Sequence, residues 1–221
     1  MTNDFKVLAN QTQAIYEKLK TTLPDVGKWP ANTKAELILG AILVQNTNWR
    51  NVEKSLAQLK QATNFIPEQV LVLSDEDLQT LIQPSGFYKN KSRAIQETFQ
   101  WFQHQDWQFN DIALNYGQHL RKELLTIHGI GQETADVLLV FVFDQVTFIA
   151  DTYARRLFGY LFDIEFKDYK DLKQAVQMPI EMTTEDAQDF HGLIDHFGKH
   201  HKGLADDETK IFKESIFNNR S

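Results

Sequence analysis

A chain of 221 residues with 42% hydrophobic and 12% aromatic residues can bury one large core or two small ones, which excludes a disordered or fibrous protein. The absence of cysteine excludes disulfides, thiolate-held iron–sulfur clusters, cysteine–zinc sites and a cysteine nucleophile. A net charge of −7 argues against coating nucleic acid nonspecifically, but leaves room for local binding through backbone amides and a few lysines.

The longest apolar run, Val137 to Phe143, is far below the roughly 20 residues that span a bilayer. The first residues lack the basic-then-apolar order of a signal peptide, so a soluble, cytoplasmic protein is expected. The pattern along the chain is helical. Phe5, Leu8, Ile15, Tyr16 and Leu19 predict a helix over 5–20, broken at Leu23-Pro24. Residues 34–45 predict a helix buried on most sides, and Val52 to Leu59 an amphipathic one. Ser74-Asp-Glu-Asp77 has the form of a capping box and opens a helix to Ile82, which Pro84-Ser-Gly86 stops. Asn90 to Gln105 follows, with Ile95, Phe99 and Phe102 on one side. Then come Gly117 to Ile127, a turn at His128-Gly-Ile-Gly131, and Gln132 to Phe143. Thr152 to Phe162, Tyr169 to Met178, Thr184 to Lys199 and Asp206 to Phe217 complete the helices. Val137 to Ile149 is rich enough in β-branched and aromatic residues to leave a local strand open. With no Asn-Gly or Asp-Gly hairpin signal and five prolines at helix boundaries, an all-α fold is expected.

Basic residues cluster at Lys89, Lys91 and Arg93, at Arg121 and Lys122, at Arg155 and Arg156, and from Lys199 to Lys202. Singly, each reads as a solvated helix face. The segment from Leu124 to Leu139 carries more. Gly129 and Gly131, one residue apart, permit a tight turn immediately before a helix. The free amides and positive end of that helix would then face outward with no Cβ in the way, an anion site suited to a DNA phosphate. The alternative is a helical corner whose glycines only allow close packing.

Gly129-Ile-Gly-Gln-Glu-Thr-Ala135, with Asp151 twenty residues beyond Gly131, resembles the helix-hairpin-helix DNA glycosylases of the endonuclease III superfamily. Three further segments carry the resemblance in the same order along the chain: Leu39 to Thr47, Ser85 to Ala94, and Ile149 to Arg156. The resemblance implies two helical domains with a cleft between them that holds the active site. One is a bundle over 34–150 carrying the hairpin (about 117–143), and the other combines 1–33 with 151–221. It also implies a mechanism in which a nucleotide is flipped from the duplex and its N-glycosidic bond hydrolysed. Asp151 matches the aspartate that stabilises the oxocarbenium-like sugar and orients or deprotonates water. Independently, Asp151 is a plausible N-cap for the helix from Thr152.

Two departures narrow the subclass. Members that also cleave the backbone use a lysine shortly after the second glycine as a Schiff-base nucleophile. Here Glu133 stands there, and a carboxylate cannot form an imine. A monofunctional glycosylase is therefore expected, with Lys91 or Lys122 as substitutes that nothing in the sequence places in the pocket. The four-cysteine cluster common near the family's C-terminus is also absent, so no cofactor is expected. Both departures fit the small bacterial 3-methyladenine glycosylases, whose motifs resemble Trp29-Pro30, Gln45-Asn-Thr-Asn-Trp49 and Phe190-His-Gly with Lys199.

That resemblance implies Trp29 and Trp49 as stacking walls for an electron-poor alkylated base, with Pro30 shaping the entrance. The alternative for both tryptophans is a place in the core. Lys28 stands where the subgroup has a second aromatic, placing a cation near the pocket. Lys199 matches a pocket lysine, expected to be modified or turned away because a bare ammonium repels a cationic base; its alternative is a phosphate contact. Gln45 is expected to fill the gap left by the flipped base. His128, Gly129, Gly131, Gln132 and Thr134 would form the hairpin's contacts to the phosphate backbone. No metal site is firm, although the carbonyls of Ile127 and Ile130 could hold a monovalent cation (sodium or potassium). The expected partner is double-stranded DNA with a damaged base, met by a monomer without a membrane. Alternatives are a glycosylase for oxidised pyrimidines or mismatches, and a damage-binding module without catalysis.

Overall fold

The computed structural model describes residues 5–23, 29–201 and 206–217. Pro24, Lys28 and Lys202, each named above, lie outside the described residues. The helices are Ala9–Thr22 (α1), Lys34–Leu43 (α2), Trp49–Thr63 (α3), Pro67–Leu71 (α4), Asp75–Ile82 (α5), Tyr88–Gln103 (α6), Phe109–Tyr116 (α7), Leu120–Leu124 (α8), Gln132–Phe141 (α9), Thr152–Phe162 (α10), Tyr169–Ala175 (α11), Thr184–His200 (α12) and Asp207–Phe217 (α13). Among the described residues there is no β-strand, only an isolated parallel bridge between Val7 and Val176. The fold is all-α. None of these helices is long and apolar enough to cross a membrane.

Several boundaries differ from the periodicity. The first helix begins at Ala9 rather than Phe5, because Val7 is pulled into the bridge. Its N–H donates to the Ala175 carbonyl at 2.9 Å, and its carbonyl accepts the Gln177 N–H at 3.0 Å. The same pairing ends α11 at Ala175 instead of Met178. The strand left open over 137–149 does not form: α9 runs to Phe141, and irregular chain follows to Ala150. Helices α4 and α7 are additions. The Ser74 cap is present, its hydroxyl accepting the Asp77 N–H at 3.1 Å.

The chain divides into two compact units, Ala31–Asp144 and Met1–Pro30 with Gln145–Ser221. These limits fall a few residues outside 34 and before 150, since Phe148 and Ala150 pack into the core of the second unit. In the unit Ala31–Asp144, α2 is central. All its residues from Ala35 to Leu43 except Leu37 are buried, and α3, α6 and α9 pack around it. Thr33 starts it by accepting the Glu36 N–H at 3.1 Å.

The second unit is built on α1, α10 and α12, with Ile15, Leu19, Leu157, Phe158, Phe190 and Phe197 in its core. Gly198 lets α12 approach α10, for a Cβ there would collide with the ring of Tyr153. Arg156 of α10 also donates to the Gly198 carbonyl at 2.7 Å.

Candidate active site

In the unit Ala31–Asp144, α8 and α9 are the arms of the hairpin. Its two glycines do different jobs. Gly129 has φ +78°, a left-handed conformation that disfavours side chains, and an added Cβ would lie 2.5 Å from the Ala94 Cβ on α6. Glycine is required there by both backbone and packing. Gly131 has an ordinary φ of −83° and open space within 4 Å of where a Cβ would be. Neither conformation nor packing asks for glycine there. It leaves bare the approach to the first turn of α9, where backbone N–H groups have no intrahelical acceptor.

The hairpin is braced from inside. Arg121 of α8 forms a two-pronged pair with Asp136 of α9, at 2.8 and 3.0 Å, and Asp136 is completely buried. Gln45, just past α2, donates its amide to the Gly129 carbonyl and to the Thr134 hydroxyl, each at 3.0 Å. His128 is half-buried, and its backbone N–H goes to Glu97 of α6. That bond adds to the Arg93 side chain in holding the Glu97 carboxyl below the usual range. Gln132 is exposed and Thr134 buried. The Ile127 carbonyl accepts the Ile130 N–H at 3.1 Å.

Of the lysines weighed as nucleophiles, only Lys91 is withdrawn from the surface. Lys91 is 3% exposed and donates to the Leu43 carbonyl at 2.8 Å and the Ser85 carbonyl at 2.7 Å. It ties the end of α2 to the turn before α6, and burial pushes its amine down to about 8. Lys122 is exposed on α8, and Glu133 is exposed on the first turn of α9. One residue of this unit escaped the sequence reading. Phe87 leads into α6 with φ +48° and is 65% exposed. The signal was its place after Pro84-Ser-Gly86, at the aromatic position of the segment Ser85 to Ala94.

Asp151 lies in the other unit. Chain 145–150 leads into it with Phe148, Ile149 and Ala150 buried, and Lys173 fastens that lead by donating to the Phe148 carbonyl at 2.6 Å. Asp151 then caps α10, its Oδ1 accepting the Ala154 N–H at 2.7 Å. Asp151 is 7% exposed as a residue, and burial raises its pKa from 3.8 to about 6. The Ala154 and Tyr153 amides and Lys199 oppose that rise, while Asp195 adds to it. Oδ2 faces His191 of α12, whose Nδ1 is 3.8 Å away. His191, Asp195 and Lys199 follow one another at four-residue spacing along α12. Lys199 pairs with Asp195 at 2.5 Å, so its ammonium is neutralised by a neighbour on its own helix.

Trp29 is half-buried and Pro30 exposed, both in the unit of Asp151 and Lys199. Trp49 is half-buried in the hairpin's unit, as the first residue of α3 after the Asn48 cap, whose Oδ1 accepts the Asn51 N–H at 3.1 Å. The described residues able to hold a metal together are His201, Asp206 and Glu208, with ligand atoms within 4.8 Å of one another. His201 Nδ1 already meets Asp206 Oδ2 at 3.1 Å.

Residues 39–182 match the HhH-GPD superfamily base excision DNA repair protein family. A Methanocaldococcus jannaschii protein, provisionally named a DNA repair glycosylase, is 32% identical over 201 residues, covering 84% of this chain and 87% of its own. Endonuclease III of Sulfolobus acidocaldarius is 28% identical over 167 residues, 73% of this chain and 71% of its own. Among solved structures, an H. pylori 3-methyladenine DNA glycosylase bound to 1,N6-ethenoadenine superposes with a TM-score of 0.72 at 26% identity, covering 86% of this chain and 97% of that one. An endonuclease III–DNA complex shares the fold, with a TM-score of 0.68 at 20% identity over 90% of both chains. The chain therefore belongs to the HhH-GPD superfamily of base excision DNA repair proteins.

Proposed function

We propose that this protein is a monofunctional DNA glycosylase that removes an alkylated purine such as 3-methyladenine from double-stranded DNA. The observation that carries this reading is the state of Asp151, a buried carboxylate with one oxygen held by a helix-terminal amide and the other facing the charged side of α12. A negative charge in a dry site is positioned to stabilise the positive charge that develops on the sugar as the N-glycosidic bond breaks. The base leaves with the bonding electron pair. Water then adds to C1′ and gives a proton to the carboxylate, leaving an abasic sugar. An N3-alkylated purine is already cationic and departs neutral without an acid, which suits a site that offers one carboxylate.

Membership of the superfamily supports the glycosylase part. The likeness to the H. pylori enzyme, and the Trp29, Pro30, Trp49 and Lys199 motifs shared with that subgroup, support the alkylpurine part. The Lys199–Asp195 pair removes the objection that a bare ammonium would repel a cationic base. For DNA binding, the support is Gly131, an exposed glycine with no conformational or packing need, in front of the first turn of α9. Phe87 belongs to the same proposal as an exposed apolar wedge that can enter a base step of the kinked duplex. A monovalent cation on the hairpin fits the Ile127 carbonyl, which keeps a second lone pair beyond its bond to Ile130.

Glu133 in place of the nucleophilic lysine, with Lys91 spent on two buried carbonyls, supports the monofunctional part. The test is incubation with methylated duplex DNA, identification of released bases, and borohydride treatment with abasic DNA. Release of 3-methyladenine without strand nicking or a borohydride-trapped complex is expected. Release only from thymine-glycol or T·G duplexes would replace the alkylpurine reading, and a trapped complex would refute the monofunctional one.

A further inference from the structure

We propose that His191 is a positioning residue for Asp151, holding the second oxygen of the carboxylate and keeping it ionised in its buried place. The inference rests on the reading of Asp151 as the catalytic carboxylate. Three features of the structure lead to it. Oδ1 is committed to the Ala154 amide at 2.7 Å, which leaves Oδ2 to be oriented by something else. His191 Nδ1 lies 3.8 Å from Oδ2, and both side chains are nearly buried, 14% exposed for the histidine and 10% for the aspartate. Finally, the other charges of α12 facing Asp151 act in opposite directions: Asp195 opposes its ionisation and Lys199 favours it, and the two are paired with each other.

The Tyr153 and Ala154 amides of α10 are the remaining groups that favour the charged form. A separation of 3.8 Å is too long for a hydrogen bond and, for a protonated imidazole, within range of an ion pair. Movement of about 1 Å converts it into a charge-assisted hydrogen bond, the kind of tightening catalytic contacts undergo when substrate binds. His191 also stands one turn before Asp195 and two before Lys199. The helix that carries the neutralised lysine thus carries the aspartate's holder in the same register.

The test uses the full chain with 13C-carboxyl-labelled aspartate. The Asp151 resonance is assigned by its loss in Asp151→Asn and followed by NMR across pH in wild type, His191→Phe and His191→Gln. The wild-type carboxyl titrates near 6; His191→Phe raises it by about one pH unit or more, and His191→Gln, which retains an N–H donor, recovers part of the shift. Single-turnover release of 3-methyladenine shows an acid limb displaced by the same amount, with a lower plateau in His191→Phe. An Asp151 titration and acid limb unmoved in both variants would overturn the proposal. If His191→Phe does not fold, His191→Gln and His191→Asn decide the matter. Failure of the glycosylase reading shows itself separately, as undiminished release in Asp151→Asn, and leaves the NMR titration a valid test of the contact.

Discussion

Replacing Asp151 by asparagine keeps the shape of the cap and removes its charge. Asparagine caps helices as well as aspartate, and its side-chain oxygen can take the Ala154 N–H that Oδ1 now accepts at 2.7 Å. What disappears is a carboxylate that burial has raised from 3.8 to about 6. At about 1.4 kcal/mol per unit, that shift corresponds to about 3 kcal/mol of destabilisation once the group is ionised. Between pH 4 and 6 the folded protein holds a proton on Asp151 that the unfolded chain has released. Wild-type stability therefore falls as pH rises through that window, and the full cost is present above it.

The variant pays none of this. Asp151→Asn is expected to be more stable than wild type by up to about 3 kcal/mol at pH 8, with the gap closing towards pH 4. Urea unfolding at pH 4, 6 and 8 measures it. The same substitution should lower base release at least about 100-fold, and the wild-type rate should climb through pH 6 as the carboxylate ionises. A variant no more stable than wild type at pH 8, or a gap that does not change with pH, would refute the account of Asp151 as a charge held against its solvation.

The two hairpin glycines should separate cleanly. Gly129→Ala forces a side chain into positive φ and into Ala94, for a loss of about 2–4 kcal/mol. Gly131→Ala should unfold within about 0.5 kcal/mol of wild type yet bind duplex DNA about five-fold more weakly by fluorescence anisotropy at fixed salt. Arg121→Met leaves the completely buried Asp136 without its guanidinium and should cost about 3–5 kcal/mol in denaturant unfolding. Lys91→Met strips two buried carbonyls of their donor, for about 2–4 kcal/mol. Because the Lys91 amine is lowered to about 8, wild-type stability should also rise between pH 8 and 10.5, where the unfolded chain still binds the proton, and this rise should be absent in Lys91→Met.

What the sequence displayed was local. The Ser74 cap, the Asp151 cap and the buried run of α2 each arise from residues within a few positions of one another, and each is where the spacing predicted. What it concealed depends on distant partners. Val7 reads as part of a helix until Ala175 and Gln177, about 170 residues on, claim its backbone. Lys91 reads as one of three surface cations until the carbonyls of Leu43 and Ser85 enclose it. Phe87 stands in the sequence only as part of the segment Ser85 to Ala94, and its left-handed backbone and exposure become visible only in the fold.

The choice posed by the hairpin, a DNA contact or a mere packing corner, dissolves once its glycines are separated. Gly129 is the packing corner, pressed against Ala94, and Gly131 is the glycine that packing does not explain. A similar opposition dissolves at Asp151, which reads from sequence as either a helix cap or a catalytic carboxylate. The cap is what makes the second role physically feasible. The amide in the first turn of α10 offsets part of the cost of burying the charge, and by engaging one oxygen it leaves the other aimed at α12. A carboxylate with no such anchor would either turn to solvent or keep its proton at neutral pH. The glycosylase chemistry proposed for this chain therefore depends on a helix N-terminus in two separate places: one that fixes a buried negative charge at Asp151, and one that is left bare, behind Gly131, for a negative charge brought by DNA.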